Sequence, residues 1–119
     1  MRIIERAGVF TTPTAPAPTR YIEHLRAPGV SVGTYSIPRR GHDDQRAHEE
    51  DEIYVVTAGA ATIWADTGSA RVSAGDVIYV PAGEIHHFVD ISADLSLIVV
   101  FAPPHRPDPV HPREADRAA

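Results

Sequence analysis

The chain has 119 residues, 43% of them apolar, and a formal charge of −5. That is room for one domain around one core, and the acidic balance argues against a nucleic-acid partner, which needs a basic face. All 11 basic residues are arginine and there is no cysteine, so lysine Schiff bases, a P-loop lysine, disulfides, zinc-finger sites and thiol catalysis are all excluded. No run of about 18 apolar residues is present to span a membrane. The opening Met1–Arg6 segment contains an acid and no apolar core, so it does not read as a secretory signal, and a cytoplasmic location is expected.

Along the chain, one short strand is expected around Ile3 and Ile4, followed by a Pro/Thr/Ala-rich stretch from Thr11 to Thr19 that suits an extended surface arm. Tyr21–Leu25 reads as a strand, Ala27-Pro28-Gly29 as a turn, and Val30–Ile37 as a second strand stopped by Pro38. A polar loop, Arg39–Asp44, then leads into an acidic segment. Further strands are expected at Ile53–Thr57, Ala60–Ala65, Ser69–Ser73, Val77–Val80, Ile85–Val89 and Leu95–Phe101, punctuated by Ala58-Gly59, Asp66-Thr67-Gly68, Ala74-Gly75-Asp76 and Pro81-Ala82-Gly83. The last strand is apolar on both faces, which predicts that both are covered. The organisation expected is a strand and Pro-rich arm over residues 1–29, a barrel over residues 30–102 and a flexible Pro-rich tail over residues 103–119, with His105 and His111 solvated. No long helix is predicted. Many short strands at close turn spacing mean an all-β sandwich or barrel.

Two stretches carry chemistry. In the first, His48 and Glu52 are four apart and share strand parity with Tyr54 and Val56. In the second, His86 and Phe88 share a parity, which leaves His87 on the opposite face or at the rim. If the strand runs unbroken from His48, folding the two together places two imidazoles and one carboxylate around a point. That is the facial set that binds divalent ions and leaves positions open for a substrate or water. Residues 43–52 include six acids (Asp43, Asp44, Glu49, Glu50, Asp51, Glu52). All but Glu52 are read as a solvated loop. Tyr35 and Tyr54 are candidates to pass a proton to bound substrate, while Phe88 and Trp64 read as core or cavity lining.

These stretches resemble the two signature motifs of the cupin superfamily. The second motif, G-x5-P-x-G-x2-H-x3-N, is met by Gly75, Pro81, Gly83 and His86, with Asp90 in place of Asn. The first, G-x5-H-x-H-x3-E-x6-G, is met by His48, Glu52 and Gly59, but Arg46 stands where another His is usual. Arg has no lone pair to give. Gln45, with a carbonyl oxygen, takes its place as a ligand in the manner of a Gln-x-x-His-x-x-Asp-Glu variant seen in small bacterial cupins, provided a bulge turns it inward; His42 is the reserve. The resemblance implies a single-domain, all-β cupin-type β-barrel (jelly roll), a divalent metal (Fe, Mn, Zn, Ni or Co) on Gln45, His48, Glu52 and His86, a small-molecule substrate or ligand, and homodimers formed through the segment before Val30. It implies a metal-dependent enzyme of dioxygenase, lyase, cyclase or isomerase type. The alternative is a non-catalytic small-ligand-binding cupin with a structural metal or none, a reading to which Arg46 lends some weight.

Overall fold

The computed structural model describes residues 1–45 and 47–106. Six strands form one antiparallel sheet: β1 (Arg20–Ala27), β2 (Val30–Ile37), β3 (Asp51–Ala65), β4 (Gly68–Ser73), β5 (Val77–Val80) and β6 (His86–Ala102). No helix occurs among the described residues, and hence none long and apolar enough to cross a membrane. The order is β1-β2-β6-β3-β4, with β5 on the other edge of the first half of β3.

Two long strands, β3 and β6, organise the whole. The sequence predicts each as two strands with a break between, and each is continuous. The pairing runs Asp51–Ala58 against Ala102–Ser96, slips at Val56/Ala58, Ala58/Ala60 and Ala60/Thr62, and resumes with Ala60–Ala65 against Ala93–His86. Those bulges bend the strands so that one pair serves both walls of the roll. Gly59 is the bend. Its φ is +86°, and a Cβ built there would lie 2.3 Å from the backbone oxygen of Asp94 and 2.9 Å from the Cα of Leu95. Backbone cannot retreat as a side-chain tip can. Gly59→Ala is therefore expected to cost about 2–4 kcal/mol, read as a lowered urea midpoint; an unchanged midpoint would contradict this account of the bend.

The inward faces supply the core: Tyr35 and Ile37 of β2, Tyr54 and Val56 of β3, and Leu95, Leu97, Val99 and Phe101 of β6 are all buried. Each such side chain contributes about 1.5–3 kcal/mol when fully buried. The outer face of the central strands is partly covered too. The N-terminal segment forms no strand around Ile3 and Ile4. Instead it lies across the sheet, where the Gly8 amide donates to Thr34 Oγ1 (2.8 Å), Thr57 Oγ1 donates to the Gly8 carbonyl (2.6 Å) and the Thr11 amide donates to Ser36 Oγ (3.1 Å). Of the segment before Val30, Arg20–Ala27 pairs as β1 with β2 of the same chain.

After β6 the chain turns back. His105, expected in solvent, is instead 1% exposed, stacked on Phe101 at 4.5 Å, with its amide donating to Ser31 Oγ at 2.9 Å. Arg26 donates to its carbonyl. His111 lies outside the described residues.

Candidate metal centre

Three ligand atoms converge at one mouth of the roll. His48, Glu52 and His86 each present one within 4.8 Å of the other two. Glu52 lies at the start of β3 and His86 opens β6, and both side chains are 1% exposed. His86 Nε2 is 2.9 Å from Glu52 Oε1. Its Nδ1 donates to the Glu84 carbonyl at 2.8 Å, which fixes the ring and turns Nε2 inward.

His48 reaches the group by a different route from the one expected. β3 begins at Asp51, so strand parity does not deliver the imidazole. The loop does: the Gly83 amide donates to the His48 carbonyl (2.7 Å) and the Ala82 amide donates to Asp51 Oδ1 (2.9 Å), tying the approach to β3 against the turn before β6. That turn is the expected Pro81-Ala82-Gly83, with Gly83 at φ +83° and the Glu84 amide donating to Pro81 O.

Gln45 also turns inward. The Tyr54 hydroxyl donates to Gln45 Oε1 at 2.6 Å and lies 3.1 Å from His86 Nε2, so the amide oxygen sits beside the triad. The other end of the amide donates from Nε2 to Asp43 Oδ2 at 2.7 Å, which sets which way round it points. His42, the reserve ligand, is exposed and stands in the wall of the cleft. Arg46 lies outside the described residues. Of the two tyrosines, Tyr54 lies beside His86, and the Tyr35 hydroxyl donates to Asp43 Oδ1 at 2.6 Å.

The acidic segment, expected to be solvated apart from Glu52, has two further members that are not. Asp43 and Glu50 are 5% and 3% exposed. Asp43 accepts from the Tyr35 hydroxyl, the Gln45 amide and side chain, and the Phe88 amide at 2.8 Å, along the edge of β6 that β3 leaves open. Four donors replace the water a carboxylate loses on burial. Sequence reasoning missed this because charge composition does not say which carboxylate meets backbone donors from a distant strand. Asp44, half-buried, accepts from Thr19, and Glu49 and Asp51 are exposed.

A cleft of about 1340 Å³ lies beside the group, with Asp43, Gln45 and His48 in its wall. His87, expected on the opposite face from His86 or at the rim, stacks on Trp64 (6.2 Å, 18°), and both line the cleft. Trp64 is thus lining rather than core.

The sequence pattern of the cupin domain matches residues 32–101, the span that holds both halves of this site. The chain belongs to the cupin family. Its six-stranded roll is the cupin jelly roll. A Streptomyces coelicolor protein, "Uncharacterized protein SCO3923", is 43% identical to this cupin over 84 residues, 71% of this chain and 80% of the relative. Among solved structures, KdgF from Halomonas sp. superposes with a TM-score of 0.67 at 22% identity, covering 76% of this chain and 85% of its own. The TT1209 protein of Thermus thermophilus gives 0.70 at 19%, covering 87% and 97%. At such identities these likenesses speak for the fold alone.

Electrostatics link the site to pH. Burial opposes the charged form of His86, yet the hydrogen bond and charge of Glu52, the Glu84 carbonyl and the charge of Asp43 outweigh it, so its pKa is raised above the ordinary 6.5. A raised folded pKa means the folded chain holds the proton more tightly than the unfolded one. The stability this contributes is full below about pH 6.5 and is lost as pH rises through the folded value. In chelator-treated protein, the stability advantage of wild type over His86→Asn is expected to shrink as pH rises through that window, measured by urea unfolding. An advantage that grows with pH would refute the assignment.

Proposed function

We propose that this cupin holds a divalent metal ion on His48, Glu52 and His86, with the Gln45 carbonyl oxygen as a fourth protein ligand, and acts on a small organic molecule taken up from the cleft. The observation that carries the reading is the convergence of two imidazoles and one carboxylate within 4.8 Å, two of the three side chains buried. The donor set fits: neutral imidazole nitrogen and carboxylate oxygen suit Fe, Mn, Zn, Ni or Co, and the Glu84 carbonyl keeps a His86 nitrogen aimed at the centre. When bound, such an ion polarises a carbonyl or carboxylate oxygen and stabilises the negative charge that develops on it.

The chain's own groups do the rest. Asp43 orients the Gln45 amide, and Tyr35 in turn holds Asp43. Tyr54 places a buried hydroxyl between Gln45 Oε1 and His86 Nε2, where it can hold or pass a proton beside the substrate. An acid–base group in that position favours lyase, cyclase or isomerase chemistry over dioxygenase chemistry. Tyr35, whose hydroxyl is committed to Asp43, is a positioning residue in this reading.

Substrate screening of the metal-loaded protein, with Tyr54→Phe beside it, tests this. The variant is expected to keep its metal and lose about a hundredfold or more in kcat. Tight binding of a small molecule by the metal-loaded chain with no turnover would instead favour a non-catalytic ligand-binding cupin. A wild-type protein that takes up no divalent metal while folded would sink the metal reading itself.

A further inference from the structure

His48 faces two pairs of partners. One pair is Glu52 and His86. The other is Glu50 and His105, and His48, Glu50 and His105 also present ligand atoms all within 4.8 Å of one another. We propose that His48, Glu50 and His105 form a second divalent-cation site, adjoining the first and sharing His48 with it.

The pieces come from the approach to β3 and from the segment after β6, and are held in place. Glu50 and His105 are 3% and 1% exposed. His105 Nδ1 lies 3.1 Å from Glu50 Oε1, and the Arg106 amide donates to the same oxygen at 3.3 Å. The His105 ring is fixed by stacking on Phe101, by the edge of Tyr21 at 5.8 Å, and by the bond from its amide to Ser31. The His48 ring meets it edge-on at 5.1 Å, with the planes at 86°. A simple ion pair accounts for one imidazole on Glu50. It does not account for a second imidazole brought to the same carboxylate, in a setting where burying charge is costly. One cation satisfies a carboxylate and two imidazole lone pairs together, and this donor set suits the same borderline divalent metals as the first centre. A neutral imidazole has one lone pair, on either ring nitrogen, so His48 serves whichever centre is filled and bridges both only on giving up its second ring proton.

The site does not require the first to be filled, and the test separates them. Co(II) is titrated into four chelator-stripped proteins, followed by calorimetry and by its visible absorption. These are wild type, Glu52→Gln/His86→Asn, Glu50→Gln/His105→Asn, and the combination of all four changes. Circular dichroism and urea unfolding check that each folds, with the single changes Glu52→Gln and Glu50→Gln as milder versions. The expected result is that each double variant still binds Co(II) and the combined variant binds it at least about a hundredfold more weakly. Folded Glu52→Gln/His86→Asn that binds no Co(II) would overturn the second site. So would binding by that variant that Glu50→Gln/His105→Asn leaves unchanged. Failure of the first centre looks different: Glu50→Gln/His105→Asn would then bind none while Glu52→Gln/His86→Asn still does.

Discussion

Replacing His86 with Ala is expected to strip the protein of nearly all divalent metal at the first centre, to under about a tenth of the wild-type content per chain. His86 supplies one of three converging donors, and its ring is already oriented by the Glu84 carbonyl. The ligands that remain, His48, Glu52 and the neutral oxygen of Gln45, hold a labile ion too weakly to keep it on dilution. A second effect accompanies the first. Glu52 is 1% exposed and lies 2.9 Å from the imidazole. Removing one partner of a buried pair costs about 3–5 kcal/mol, so the chelator-treated variant is expected to unfold at lower urea than chelator-treated wild type. Elemental analysis in a Glu50→Gln/His105→Asn background, with His48→Ala in parallel, reads the first effect, and urea unfolding reads the second. Full metal content in a folded His86→Ala protein would rule this histidine out as a ligand.

Asp43→Ala is expected to be the most damaging single change outside the triad. The carboxylate collects four donors from three parts of the chain: the Tyr35 hydroxyl, the Gln45 amide and side chain, and the Phe88 amide. Hydrogen bonds to charged groups contribute about 1.5–3 kcal/mol each and are not additive, and donors left unmet in the interior carry their full desolvation cost. A loss of about 3–5 kcal/mol is expected. Asp43→Asn should rescue it only in part, because one of its two acceptor atoms becomes a donor facing donors. The change also reaches the centre. Without Asp43 the Gln45 amide loses what sets its direction, and metal affinity is expected to fall about 10–100-fold, as for an outer-shell partner. Urea midpoints and metal titration of Asp43→Ala and Asp43→Asn check both. Wild-type midpoints in the alanine variant would show that solvent replaces the network and that the acidic loop is as open as its composition suggests.

The strands were largely legible from β-formers and turn residues, and in β6 the period of two separates Leu95, Leu97, Val99 and Phe101 from Ile98 and Val100; because the strand is apolar on both faces, only packing shows that the first set faces the core. Turn chemistry was legible too at Pro81-Ala82-Gly83. Gly59 misled, because a glycine that ends a strand and one that lets a long strand bend past its neighbour look alike in sequence. Only the close approach of the Asp94 backbone, on β6, distinguishes them. The triad was placed by spacing within two motifs. Its parity argument held for Glu52 and Tyr54, which lie in β3, but not for His48, which a loop delivers.

By itself the sequence determined the fold class, the family resemblance and the identity of the converging side chains, since these rest on local alternation, turn residues and short spacings. Tertiary structure alone decided which acids are buried. Asp43 goes inside because Phe88 and Tyr35 bring donors to it, and Glu50 because His105 folds back onto it. Most of those partners are distant in sequence, and burial of a charge depends on what surrounds it rather than on its neighbours in the chain.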